Sequence, residues 1–323
     1  MANSADILNH LLGHPPTSHH PVAYNFLVPN LKGLENFLKA AGEAVAGGGA
    51  EEPAPITSTN DPNEMPSPPP SPSPPQVEEP APIASTEDPN EMLSDTSGVG
   101  DKQSSADTIA SNKFEISVFA AATETFSRAN ANCTITESLD RFRSIVTLAK
   151  SRDLRVRGYV SVALGCPFEG PDVAPSKVAD VTASLLEMGV DEVSVADTTG
   201  MGTAPKTTEL LKVLTSSGIS SKDLALHFHD TYGQALVNVV IGLEHGIRTF
   251  DSSVGGLGGC PFAKGATGNV ATEDLLHCLH SLGATTGIDI DKISKIGSWI
   301  SGELGRPNES RAGKAVLARL KAV

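Results

Sequence analysis

Two histidines one residue apart, in Leu226-His227-Phe228-His229-Asp230, and a glycine-rich loop holding a single thiol are the residues here whose types and spacing can do chemistry. On an extended strand the side chains at i and i+2 share a face, so His227 and His229 can meet one cation together. The alternative is that they satisfy ordinary polar contacts or face solvent. The loop runs Gly255-Gly256-Leu257-Gly258-Gly259-Cys260-Pro261-Phe262-Ala263-Lys264-Gly265-Ala266-Thr267-Gly268-Asn269. Its glycines let the backbone approach a ligand closely. It offers Cys260 as a thiol and, nine residues later, Asn269 as an amide oxygen. Imidazole nitrogen with amide oxygen suits a divalent ion of intermediate hardness, magnesium or manganese, whereas zinc would favour thiolate. Such an ion polarises a carbonyl or hydroxyl oxygen and holds developing enolate charge. Free cysteine usually packs as a small hydrophobe, but glycine and proline are poor packing neighbours, which argues for a working thiol at Cys260.

Other candidates are less specific. Asp197 closes the run Val193-Ser194-Val195-Ala196, where it contacts the metal shell or the substrate, or only caps the next helix. Tyr159 and Ser161 alternate on one strand and either point at the site or fill the interior. Cys133, Cys166 and Cys278 read as structural, although Cys166 also follows a strand. The cysteines form no CxxC pair, which fits a reduced, intracellular protein.

The elements that must position these residues alternate in type. β-rich runs fall at residues 22–28, 114–119, 156–162, 192–196, 224–229 and 248–253, and helical stretches at 136–150, 175–188, 205–214 and 234–244. Thr134 with Glu137 makes a capping-box pattern, and Thr272-Glu273-Asp274 opens an acidic first turn. Such alternation means parallel strands joined by crossover helices. Six strands are counted where a closed (β/α)8 barrel needs eight, and helix-like residues 5–12 precede the first. The fold expected is α/β, a partial TIM barrel of about six β/α units. Barrel enzymes keep their chemistry at the carboxyl ends of the strands, and both motifs fall at such ends.

The barrel is interrupted. Residues 47–112 hold 13 of the 23 prolines and twelve acids against one base, with a segment from Glu51 that recurs 27 residues later. This composition predicts a disordered, proline-rich acidic insert between barrel segments 1–46 and 113–310, with 311–323 as a tail. The formal net charge is −14 and no basic stripe exists, which excludes a nucleic-acid partner. No run of about 18 apolar residues occurs, so no membrane span is expected. The run from Pro66 to Pro75 is open to a proline-motif-binding domain of the SH3 or WW kind.

The stretch from His227 to Ala235 together with the loop from Gly256 to Asn269 resembles the hydroxymethylglutaryl-CoA lyase family. Arg157-Gly158-Tyr159-Val160-Ser161, Asp197-Thr198-Thr199-Gly200 and Val28-Pro29-Asn30-Leu31-Lys32-Gly33 support the resemblance, which covers the chain outside the insert. The resemblance implies cleavage of hydroxymethylglutaryl-CoA to acetyl-CoA and acetoacetate, as in leucine degradation and ketone-body formation in the mitochondrial matrix. It implies a Mg2+ or Mn2+ ion held by His227, His229 and Asn269, with His227 also relaying a proton and Cys260 as the catalytic thiol. Asp197 and Tyr159 would contact an acyl-CoA substrate, and the chain would be open to homodimer formation.

The same family opens with a strand ending in an Arg-Asp pair, then a second strand carrying a glutamate, and neither is found in these residues. The only Arg-Asp pair, Arg152-Asp153, lies between a helix and a strand, at the other end of the barrel. No presequence is recognised, and Met1 aligns with an internal methionine of the family. The expectation is therefore an upstream start or a truncated product, with exposed sheet edges and negligible turnover. Two other readings stay open: another acyl-CoA condensing enzyme or aldolase of the same superfamily, and a non-catalytic interaction protein displaying the insert.

Overall fold

The computed structural model describes residues 7, 8, 10, 11, 22–46, 114–259 and 268–322. All belong to one unit formed by residues 1–47 and 105–323. The expected insert at 47–112 lies outside the described residues.

Six strands form one sheet in chain order: β1 (Tyr24–Leu27), β2 (Phe114–Ala121), β3 (Arg155–Ser161), β4 (Glu192–Asp197), β5 (Leu224–Phe228) and β6 (Thr249–Asp251). Every pairing is parallel. Helices connect them: α1 (Leu31–Ala46), α2 (Glu124–Ala131), α3 (Ile135–Lys150), α4 (Pro175–Glu187), α5 (Ala204–Ser216) and α6 (Ala235–Glu244), followed by α7 (Thr272–Ser281), α8 (Ile290–Glu303) and α9 (Arg311–Lys321). This is a curled part-barrel of six β/α units, as the alternation of strand and helix patterns requires. Among the described residues, β1 and β6 each pair on one side only.

The two faces of the sheet differ in chemistry. Ile116 and Val118 on β2, Val156 and Val160 on β3, and Val193 and Val195 on β4 are buried, as are Leu224, Leu226 and Phe228 on β5, in the core shared with the helices. The alternate residues, among them Glu115, Arg157, Ser194, His227 and Asp251, turn to the other face. Period-two alternation therefore sends apolar groups to the helices and polar groups to the barrel interior. Gly158 marks a close approach: a Cβ there would lie 3.1 Å from Leu185 and 3.2 Å from Val190, so the carboxyl end of α4 and the turn after it rest directly on β3.

Helix starts follow the local sequence. Thr134 and Glu137 make the full capping box at α3, satisfying two amides that the helix itself cannot. The acidic first turn of α7 behaves differently from a solvated one. Glu273 is fully buried and accepts from the Gly255 amide at 2.9 Å. Asp274 accepts from Ser310 Oγ at 2.6 Å and from the Ala312 amide at 2.7 Å. The segment read as a tail thus carries α9, whose first turn is fixed by a carboxylate from another helix. Arg152 and Asp153 sit in the turn between α3 and β3, as their flanking patterns indicate. Among the described residues no helix is long and apolar enough to cross a membrane.

Candidate active site

His227 lies in β5, and His229 follows the strand's last residue. Their ring centroids are 5.3 Å apart. Asn269 is brought to them by backbone pairing. The Asp230 amide donates to the Gly268 carbonyl and the Val270 amide to the Phe228 carbonyl, each at 3.0 Å. His229 and Asn269 are therefore bridge partners across an antiparallel stitch. Gly268 is required in that stitch, with φ at +100° and a would-be Cβ only 1.9 Å from the Gly258 carbonyl oxygen.

The donors of this cluster are open to a further partner. His229 Nδ1 and Asn269 Oδ1 are buried without a hydrogen-bond partner among the described residues. Asn269 Nδ2 donates to the Leu257 carbonyl at 2.9 Å, which fixes the amide and leaves its oxygen as the acceptor. Burial, with the nearby His227, pushes the His229 pKa down to about 4, so its ring is neutral at ordinary pH and keeps a lone pair. Two imidazoles and one carboxamide oxygen are a donor set that fits a divalent cation of intermediate hardness. Among the described residues there is no cluster of three or more His, Cys, Asp or Glu side chains placed to hold a metal.

Tyr159 is adjacent to this cluster. Its ring stands edge-on to His227 at 6.2 Å and stacks on Phe119 at 4.3 Å. Burial, with Asp251 nearby, raises its hydroxyl pKa to about 12. Asp197, at the end of β4, is 1 % exposed. Its Oδ2 accepts from the Gly202 amide at 2.9 Å and its Oδ1 has no partner among the described residues. Burial lifts its pKa to about 6 against the pull of the Gly202, Gly200 and Met201 amides and of His227. Beside Asn269 opens a polar cavity of about 390 Å3, lined in part by Asp230, Tyr232, Asp274, Glu309 and Arg311. Cys260 lies outside the described residues. Cys166 is fully buried, with Sγ 3.3 Å from Thr123 Oγ1, a packing position.

A set of residues not singled out from the sequence lines the interior. Asp251 Oδ2 lies 3.2 Å from His227 Nδ1. Arg157 Nη2 lies 2.8 Å from Asp251 Oδ1, and Arg157 Nε 2.9 Å from Glu192. Arg155 continues the alternation to Glu115 at 3.2 Å. Charge thus alternates across the sheet from β2 to β6 and ends on a site histidine. Burial works against the Arg157 charge, but Asp251, Tyr159 and Glu192 outweigh it and hold its pKa up. Burial likewise opposes ionisation of Asp251, yet the His227 hydrogen bond and Arg157 hold its pKa down. The available signal was charged residues at every second position in strands whose other positions are apolar.

Residues 76–300 match the HMGL-like family. The chain belongs to the HMGL-like family. Among relatives of this HMGL-like chain, the hydroxymethylglutaryl-CoA lyase of Pseudomonas mevalonii is 52 % identical over 205 residues, covering 64 % of this chain and 67 % of the relative. The mitochondrial enzyme of Arabidopsis thaliana is 50 % identical over 64 % of this chain and 44 % of its own length. A Danio rerio 3-hydroxy-3-methylglutaryl-CoA lyase named as cytoplasmic is 52 % identical, with 64 % and 61 % covered. The chain therefore spans less than two thirds of some of the relatives it matches. In structure, the Pseudomonas aeruginosa hydroxymethylglutaryl-CoA lyase superposes with a TM-score of 0.72 at 38 % identity, over 99 % of this chain and 80 % of that one. An Acinetobacter baumannii HMG-CoA lyase in complex with coenzyme A and 3-methylmalate gives 0.67 at 27 % identity, over 97 % and 77 %.

Proposed function

We propose that this HMGL-like chain carries the chemistry of a carbon–carbon lyase acting on hydroxymethylglutaryl-CoA, releasing acetyl-CoA and acetoacetate. The observation that supports this most directly is the meeting of His227, His229 and Asn269, with the buried His229 Nδ1 and Asn269 Oδ1 unpartnered among the described residues. These three would hold a divalent cation, Mg2+ or Mn2+. When bound, such an ion withdraws charge from the substrate's hydroxyl and carbonyl oxygens, which eases loss of the hydroxyl proton and steadies an enolate.

The chain's own groups would do the rest. His227 relays the proton lost from the tertiary hydroxyl as the carbon–carbon bond breaks. Cys260 gives a proton to the carbon of the departing acetyl-CoA enolate, an acid role that requires a thiol close to the site. Tyr159, its edge against His227, would bound the acyl group, while Asp197, buried on the same face of β4 as Val193 and Val195, would brace the Gly202 loop from behind. The acyl-CoA class is supported by the coenzyme A complex of the Acinetobacter relative. The compartment proposed is the mitochondrial matrix, a reading supported as far as the mitochondrion by the Arabidopsis relative's name.

The test is acetoacetate release from hydroxymethylglutaryl-CoA by the purified full-length protein. Cleavage is expected only with added Mg2+ or Mn2+, with loss of at least about a hundredfold for Cys260→Ala and for His229→Ala. A full-length protein that cleaves another acyl-CoA but not this one, or a fully active Cys260→Ala variant, would sink the assignment.

A further inference from the structure

We propose that Asp251 is a positioning residue that decides which ring nitrogen of His227 carries the proton. This deepens the reading above and rests on it for the role of His227.

Asp251 and His227 are register partners on β6 and β5, and Oδ2 lies 3.2 Å from Nδ1. A carboxylate only accepts hydrogen bonds, so Nδ1 must present its hydrogen there. The lone pair is then on Nε2, the form a ring needs to take a cation or a proton. The opposite tautomer would set the Nδ1 lone pair against a negative oxygen.

The carboxylate is itself held in place. Arg157 Nη2 sits 2.8 Å from Oδ1, and Ser194 Oγ donates to Oδ2 at 2.8 Å. Arg157 is fixed from its other side by Glu192 at 2.9 Å and donates through Nη1 to the Tyr159 hydroxyl at 3.1 Å. Strands β3, β4 and β6 therefore converge on one anion whose free direction is toward the histidine. A group kept only to neutralise Arg157 would not need the serine or the register match with His227. Carboxylates in this relation to a metal-binding imidazole fix its tautomer and raise its basicity, and their loss weakens metal binding by about 10- to 100-fold.

The experiment uses the full chain labelled with 15N-histidine, stripped of metal with chelator and held at pH 8. Long-range proton–nitrogen correlation reads the tautomer of His227, assigned by its loss in His227→Ala. The native chain is expected to show the Nδ1–H form. Asp251→Asn keeps the size of the side chain but can turn its amide hydrogens toward Nδ1, so the Nε2–H form should appear. The Mn2+ dissociation constant, followed by electron paramagnetic resonance, should rise by about 10- to 100-fold in that variant.

A native Nε2–H ring would overturn the proposal, as would an Asp251→Asn variant with unchanged tautomer and unchanged Mn2+ affinity. Should Asp251→Asn fail to fold, Ser194→Ala decides instead. It keeps the charge beside Arg157 while loosening the carboxylate, so mixed tautomers are expected and an unaltered pure Nδ1–H signal would count against the idea. A native chain that binds no Mn2+ removes the metal reading, while the tautomer still decides what Asp251 does.

Discussion

Asp197 and His229 are both driven toward neutrality by burial, and the two shifts act on stability in opposite pH windows. The folded-state pKa of Asp197 is raised from 3.8 to about 6, so the folded chain keeps this proton longer than the unfolded one. Its penalty is absent below about pH 3.8, grows as pH rises, and is complete above about 6. The His229 value falls from 6.5 to about 4, so its penalty is absent above 6.5 and grows as pH falls. Asp197→Asn removes only the first effect. In the metal-free chain it should therefore raise unfolding stability by roughly 2–3 kcal/mol at pH 8, a gain that largely disappears by pH 4. Urea melts of native and variant chains at the two pH values measure this. An equal gain at both would show that charge burial is not its source.

At the scale of elements, helices bring the strands into line and glycines set how close they come. Gly158 stands between Arg157 and Tyr159 on β3, its Cα facing Leu185 and Val190. Gly158→Val would force that contact apart and tilt both site-facing neighbours. A loss of about 1–3 kcal/mol is expected, read as a lower urea midpoint, together with reduced near-ultraviolet dichroism from Tyr159. An unchanged midpoint would mean that α4 can retreat freely. The carboxyl-terminal helices show the same logic in polar form. Asp274 on α7 caps α9 through the Ala312 amide, a long-range contact that local capping patterns do not reveal.

At the scale of the whole molecule, the end strands of the described sheet are where association between copies is to be sought. Among the described residues β1 and β6 have one neighbour each, and Leu27 on β1 is 42 % exposed. Unpaired strand edges invite pairing between copies, and a charge placed on the edge blocks it. These 323 residues should scatter light increasingly with concentration, and Leu27→Lys should stay dispersed over the same range. Scattering that the lysine leaves untouched would assign the association to another surface.

What the sequence alone determined was periodic or contiguous. Strand–helix alternation specified six parallel β/α units, Thr134 and Glu137 announced the start of α3, and the spacing of His227 and His229 put both rings at one end of β5. The long motifs around them carried the family. Side chains that meet across strands were a different matter. Asp251, Arg157 and Ser194 come from β6, β3 and β4, and nothing local marks them as partners of His227, because strand register is set by the packing of the whole sheet. The same holds for Asn269, which reaches His229 through backbone bonds between segments some forty residues apart, and for the fate of α9. Local chemistry picked out candidate side chains, and only the tertiary structure decided which of them lie together.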